Sequence, residues 1–184
     1  MIVASPPARQ PSTRLARLSP RSRKVWLTAH VATSVGWLGS AYTMLVLGLA
    51  ALHSGDHDFR VTVYEIMHLF DRAVNIPLFL AALLTGLVVS LRTKWGLLRH
   101  WWVAVKLVLS LLVAFGAYLL SVPRVLSMIA ATPAGTDTGS TAIEIVAISI
   151  ASITVLTAVT AISVGKPWGR IRRVAGYSAP DRAL

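Results

Sequence analysis

The chain contains no cysteine, which excludes disulfide bonds, thiolate metal sites and cysteine nucleophiles. Acidic residues are also few, with 7 Asp and Glu against 18 Lys and Arg in 184 residues. Charged residues make up only 14% of the chain, whereas soluble domains contain about 25%. Hydrophobic residues reach 55%. This composition is typical of an integral membrane protein and not of a soluble domain.

Long apolar stretches divide the chain, and each is long enough to cross a bilayer as a helix of about 20 residues. The predicted spans are residues 25–52, 72–91, 101–122 and 141–164. Residues 1–24 are predicted to form a disordered basic arm, because they combine prolines and arginines without a sustained apolar period. Residues 165–184 are predicted to be a basic tail. Apolar residues at helical spacing in 59–71 predict that the second helix begins as an amphipathic extension, and a kink is expected near Pro77.

The packing of these helices can also be predicted from small and polar residues. Small residues four positions apart, which let helix backbones approach, occur in the first two spans at Ala32, Gly36, Ser40 and at Ala82, Gly86. One side of the fourth span carries hydroxyl groups that can bond across helices or to their own backbone. These are Ser149, Ser152, Thr157, Thr160 and Ser163. The sequence therefore predicts an all-α membrane protein with a compact antiparallel four-helix transmembrane bundle.

The connection between the third and fourth spans is predicted to be a loop from Pro123 to Ser140, because it contains proline and glycine. Thr141 and Glu144 have the spacing of a capping box at the start of the fourth helix.

The distribution of basic residues predicts the orientation. Lys and Arg concentrate in the arm, in the loop 92–99 and in the tail, whereas most acidic residues lie in the other connections. The positive-inside rule then places both termini in the cytoplasm of a multi-pass protein of the cell (plasma) membrane. The lipid bilayer is the expected partner, with anionic headgroups at the basic termini. The net charge of +11 does not indicate nucleic-acid binding when it is distributed in this way. A homo-oligomer is left open, and any redox partner is unknown.

Lys106 is an ionisable residue inside an apolar span, five residues past Trp101. A lysine at the centre of a span costs about 2.5–3.5 kcal/mol, and ionisable residues inside spans often have a function. The structural explanation is that the ammonium snorkels to the headgroups. His30 lies at a matching position in the first span, five residues past Val25. Because these two helices are predicted to run in the same direction, both side chains are expected in one layer of the bundle.

A histidine that faces an apolar bundle interior is suited to be an axial ligand of haem iron. Small residues on the Lys106 face, Ala114 and Ala117, would leave room for a flat cofactor. We therefore predict a haem b site, with basic side chains pairing the propionates. Its candidate residues are His30 as the axial ligand, Lys106 as a second ligand or a propionate partner, and Trp37, Arg99 and His100. The alternative for His30 is a hydrogen bond to a neighbouring helix or contact with headgroups. No catalytic residue is predicted, and whether the chain is an enzyme, such as a haem-dependent oxidoreductase, is left open.

A second group of candidate ligands lies in the connection between the first two spans. His53, His57 and His68, with nearby carboxylates, could bind copper or another divalent cation. The methionines Met44, Met67 and Met128 would suit Cu(I). This pattern predicts a copper or divalent-cation transport protein, whereas the structural alternative is a wet polar loop with a surface charge ladder. A third possibility is a non-catalytic accessory membrane protein.

Two segments resemble a bacterial family of four-span membrane proteins of unknown function. They are HVATSVGWLGS, residues 30–40, and PLFLAALLTGLVVSLRTKWGLLRHWWVAVKLVLSLL, residues 77–112. That family is distantly similar to the copper-resistance D proteins and to the J-type protoporphyrinogen oxidase. In the latter groups a first-helix histidine and a lysine in a W-x(3 or 4)-K-L motif form the functional pair, and His30 and Lys106 stand at those places. The resemblance implies haem binding. An arginine- and tyrosine-rich motif of the oxidase is replaced by AALHSGDHDFR, which argues against porphyrinogen oxidation.

Overall fold

The structure is a computed structural model that describes residues 18–92, 100–130 and 139–165. Its regular elements are helical: α1 Pro20–His53, α2 His57–Phe70, a π-helical turn Asp71–Asn75, α3 Ile76–Leu91, α4 Trp101–Ile129 and α5 Gly139–Gly165. The predicted arm up to residue 17, the loop segments 93–99 and 131–138, and the tail from residue 166 lie outside the described residues.

The described ranges contain four helical spans that are long and apolar enough to cross a membrane. One of them is composite, because α2, the π-helical turn and α3 follow one another without a break from His57 to Leu91. The predicted all-α four-helix transmembrane bundle is confirmed. We call the end where α1 begins and α5 ends the terminal end, and the opposite end the loop end.

Helix α1 begins at Pro20, five residues before the predicted start of the first span. The Ser19 side chain caps it by accepting a hydrogen bond from the Ser22 N–H at 3.2 Å, and proline is favoured in the first turn. Residues 20–24 are therefore helical and do not belong to a disordered arm. With 34 residues the helix is about 51 Å long, so it extends beyond a hydrocarbon core of about 30 Å.

Helix α4 continues through Pro123 to Ile129, so the prediction that the loop begins at Pro123 is wrong. A proline inside a membrane helix is tolerated where neighbouring groups satisfy the freed backbone. The capping-box prediction is also wrong, because α5 begins at Gly139 and Thr141 already lies inside the helix. The Glu144 carboxylate instead accepts a hydrogen bond from Arg124 Nε, in an ion pair that joins α4 to α5.

The irregularity expected near Pro77 is a π-helical turn immediately before it. The Ile76 N–H donates to the Asp71 carbonyl, five residues back instead of four. Pro77 has no N–H to donate, and its ring crowds the carbonyl of Ala73. One extra residue in the turn lets the backbone pass this point without ending the span. The turn also places Asp71 and Asn75 on the inner side of the bundle, where both line a cavity.

The helices pack in the order α3, α1, α5, α4, and α2 packs on α1 and α4 at the loop end. Within the described residues, α3 and α4 make little or no direct contact, so one flank of the bundle is not closed by a helix. The predicted small-residue contact between the first two spans is present at Gly36 and Gly86. A Cβ on Gly36 would lie 3.2 Å from Leu78, and one on Gly86 would lie 2.9 Å from His30. Ala32 is exposed and lies outside this contact.

Two buried apolar clusters stabilise the bundle. The loop-end cluster joins α1, α2, α4 and α5 through Ala51, Val63, Tyr64, Met67, Val125, Met128, Ala142 and Ile145. The middle cluster joins α1 and α5 through Trp37, Ala41, Ile153 and Leu156, with Phe79 of α3 and Val113 of α4 packed against it. The candidate functional groups lie on either side of this middle cluster.

Candidate functional site

His30 lies in the α1–α3 contact on the terminal-end side of the middle cluster. Its Nδ1 is 3.0 Å from the Ala82 carbonyl oxygen and 3.2 Å from Thr85 Oγ1. A carbonyl can only accept, and the Thr85 hydroxyl donates its own proton to the Ala81 carbonyl at 2.6 Å. Both contacts therefore require the imidazole proton on Nδ1. Gly86 makes this position accessible, because the ring packs where a side chain at residue 86 would lie.

This arrangement is the alternative that the sequence left open for His30, a hydrogen bond to a neighbouring helix. It also fixes the tautomer, since a neutral imidazole with its proton on Nδ1 carries a lone pair on Nε2. Among the described residues Nε2 has no hydrogen-bond partner. Metal-binding histidines commonly have this form, in which one nitrogen donates to a backbone carbonyl and the other coordinates.

Lys106 is half-buried on α4, and its Nζ donates a hydrogen bond to Ser163 Oγ of α5 at 2.9 Å. An ammonium has three donors, so this bond leaves two for other acceptors. Both His30 and Lys106 lie on the terminal-end side of the middle cluster, in a region that we call the polar layer. His30 is hydrogen-bonded to α3, whereas Lys106 is hydrogen-bonded to α5.

Trp37 lies seven residues past His30 on α1 and is buried. Its indole ring packs against Phe79 of α3, with ring centroids 5.1 Å apart and planes tilted by 48°. The pair lines a cavity of about 80 Å³ on the loop-end side of the polar layer, and Ala114 and Ala117 line it from α4. The small residues of α4 do leave space inside the bundle. Neither His30 nor Lys106 lines this space.

A chain of hydrogen bonds that the sequence reasoning missed reaches the same cavity. The buried Ser40 hydroxyl lies 2.7 Å from both the Trp37 carbonyl oxygen and Asn75 Oδ1, so these two acceptors share its single proton. Asn75 Nδ2 in turn donates to the Asp71 carboxylate at 2.7 Å. The signal in the sequence was Asn75 itself, an amide inside the apolar stretch 72–91, where polar side chains usually face the bundle interior.

The other predicted haem-site residues are placed as follows. His100 is buried next to the first turn of α4, with its ring centroid 6.3 Å from that of Trp102. Arg99 lies outside the described residues.

The three histidines of the predicted copper site lie on different parts of the fold. His53 Nδ1 bonds to the Leu49 carbonyl at 2.8 Å, His57 is the first residue of α2, and His68 lines the cavity. Within residues 18–92, 100–130 and 139–165 there is no group of three or more His, Asp or Glu suited to a metal ion. Two of the three methionines, Met44 and Met67, line the cavity, whereas Met128 is buried in the loop-end cluster.

Four apolar spans around an interior that contains a histidine, a lysine and a hydrogen-bonded carboxylate define an integral, multi-pass membrane protein. No family model, no curated protein and no solved structure matches the chain.

Proposed function

We propose that this membrane protein binds haem b, with His30 as an axial ligand of the iron, and works in electron transfer or haem handling. The observation that supports the proposal is the His30 tautomer. Its Nδ1 proton is held by the Ala82 carbonyl at 3.0 Å, and its Nε2 lone pair has no partner among the described residues. In this tautomer Nε2 carries the lone pair through which an imidazole coordinates a metal.

Lys106 takes the role of propionate partner in this proposal and not that of second iron ligand. Its Nζ donates a hydrogen bond to Ser163 Oγ. The proposal assigns it the ammonium form, which has no lone pair for iron. The two remaining donors are suited to a carboxylate, with which they would form charge-assisted hydrogen bonds. The His30 imidazole and the Lys106 side chain both lie in the polar layer defined above.

The haem requires more room than the described cavity gives. Pockets for ligands of this size have volumes of about 300–1,000 Å³. The cavity of about 80 Å³ is smaller and lies beyond the Trp37–Phe79 pair from His30. The proposal therefore requires α3 and α4 to move apart along the flank where they make little contact. Bound haem would supply one-electron redox chemistry, and the contribution of this chain is to hold and orient it.

The proposal is tested by the visible spectrum of the full chain, purified in detergent from haem-supplemented cells. We expect a Soret band in the wild-type protein, its loss in His30→Ala, and its retention in His53→Ala. His53 is a matched control, because it is exposed and bonded only within its own helix. His30→Gln is a second variant that keeps a side chain able to donate to Ala82 but lacks the imidazole.

Absence of a Soret band in the wild-type protein would refute haem binding and would favour the accessory function. A Soret band that is unchanged in both His30→Ala and His30→Gln would refute the assignment of His30. The copper or divalent-cation alternative is not proposed, because no observation of the described residues favours it.

A further inference from the structure

The cavity beyond the Trp37–Phe79 pair contains one acidic side chain, Asp71, at the start of the π-helical turn. Among the described residues no lysine or arginine forms an ion pair with it. Asn75 donates a hydrogen bond to one of its oxygens at 2.7 Å. An ionised carboxylate has about four acceptor positions, so this bond leaves most of its acceptor capacity unused. Carboxylates placed in this way in membrane proteins commonly mark binding sites or ion pathways.

The hydroxyl groups on the α5 side of the cavity are also acceptors. Ser149 donates its proton to the Ile145 carbonyl at 3.0 Å, and Ser152 donates to the Ile148 carbonyl at 2.8 Å. Because each hydroxyl has only one proton, the lone pairs that remain on these oxygens can only accept. The polar groups that line the cavity, besides Asn75, His68 and Ser121, are thus a carboxylate and two acceptor hydroxyls. These groups favour a ligand that is positively charged and donates hydrogen bonds.

Three aromatic side chains line the cavity, together with aliphatic and methionine side chains. Trp37 and Phe79 pack against each other, and Tyr118 lines the cavity from α4. The faces of aromatic rings attract cations, tryptophan most strongly, and the rings also cover alkyl groups. A bare inorganic ion gains less from such a wall than a cation that carries its own apolar group.

We propose that this cavity binds a compact organic ammonium ion. Asp71 is the counter-ion, the Ser149 and Ser152 hydroxyls accept N–H hydrogen bonds, and the aromatic wall covers the alkyl group. The volume of about 80 Å³ restricts the ligand to a few heavy atoms. The proposal does not depend on haem, since neither His30 nor Lys106 lines the cavity.

The test uses radiolabelled n-propylammonium and the full chain in lipid nanodiscs, with bound label measured by equilibrium dialysis. We expect saturable binding that unlabelled n-propanol, which has nearly the same shape but no charge, does not displace. Asp71→Asn should weaken binding by about 10- to 100-fold, the loss expected for one charge-assisted hydrogen bond. Asp58→Asn is the control, because it removes the same charge from an exposed position on the same helical span.

A second pair of variants tests the cavity without changing any charge. Ala117→Leu would fill the cavity from α4 and should abolish binding. Ala151→Leu adds the same group at an exposed position on α5 and should not change it. Far-UV circular dichroism of each variant would show whether the helices are retained.

Three results would overturn the proposal. The first is the absence of saturable binding to the wild-type protein. The second is equal binding by the Asp71→Asn and Asp58→Asn proteins when both are folded. The third is displacement of the label by sodium or potassium at the same concentration as by unlabelled n-propylammonium, because the aromatic wall would then give no preference for an organic cation.

Discussion

Replacing Gly86 with alanine would place a methyl group where the His30 imidazole now packs. The new Cβ would lie 2.9 Å from His30 Cε1 and 3.2 Å from Nδ1, whereas favourable contacts between heavy atoms begin at about 3.5 Å. The ring must therefore move by at least about half an ångström. It is not free to move without cost, because Nδ1 is hydrogen-bonded to the Ala82 carbonyl and to Thr85.

The expected cost combines two effects. Overpacking of a well-packed contact costs about 1–3 kcal/mol, and hydrogen bonds between membrane helices contribute about 0.6 kcal/mol each. We expect Gly86→Ala to lower the free energy of unfolding by about 1–3 kcal/mol. Gly116→Ala is the control, because among the described residues no heavy atom outside the nearby backbone of α4 lies within 4 Å of a Cβ at that position. It should be neutral or should stabilise helix α4 by up to about 1 kcal/mol.

Unfolding of the purified chain in mixed micelles with increasing dodecyl sulfate, followed by far-UV circular dichroism, gives these free energies. The decisive comparison is a double-mutant cycle with His30→Ala, which removes the ring that the new methyl group meets. In that background Gly86→Ala should cost little, so the two substitutions should show a coupling energy of about 1–3 kcal/mol. Equal costs of Gly86→Ala in the two backgrounds would refute the packing of His30 against Gly86.

Two further substitutions test buried and interhelical polar contacts by the same assay. Tyr64 is 1% exposed, and its hydroxyl has no hydrogen-bond partner among the described residues. Tyr64→Phe should therefore raise the free energy of unfolding by about 1 kcal/mol, whereas Tyr42→Phe at an exposed position should not. A loss of stability in Tyr64→Phe would show that the hydroxyl is paired. Glu144→Gln should lower the free energy of unfolding by about 0.2–1 kcal/mol, because it removes the ion pair with Arg124. This loss should become smaller with added salt, since the pair is partly exposed. If Glu144→Gln leaves the free energy of unfolding unchanged, a capping-box role of this side chain would be favoured instead.

The span pattern and the small-residue contact could be predicted because they depend on local composition. A run of about 20 apolar residues has to be helical in lipid, and a glycine at four-residue spacing marks where another backbone can approach. The end of α4 could not be predicted in this way. Pro123 stops most helices in water, but α4 passes through it and brings Arg124 to Glu144 of α5. At this position the contacts with the neighbouring helix α5 outweigh the tendency of proline to end a helix.

The helix to which each candidate side chain bonds could not be predicted from the sequence. His30 and Lys106 were expected in one layer because each lies five residues into its predicted span. Their hydrogen bonds to Thr85 and Ser163 depend on which helices are neighbours. The packing order α3, α1, α5, α4 cannot be read from the residues of either span.

The Asp71–Asn75 pair was missed for a different reason. The polar residues around Asp71 fit a surface charge ladder on a regular helix. The π-helical turn rotates this part of the chain, and both Asp71 and Asn75 line the interior instead. A single extra residue in one turn is not visible in an average helical periodicity.

The flank between α3 and α4 has a consequence for any reconstitution of this protein. Since these helices make little contact there, we expect acyl chains of the surrounding lipid to form the fourth wall of the interior in a bilayer. The length and branching of the lipid acyl chains then change the shape of this wall, as a side-chain substitution in the protein would. Ligand affinities measured in a detergent with short tails and in a bilayer therefore describe binding sites with different walls. Lipid composition has to be treated as a variable of the binding site.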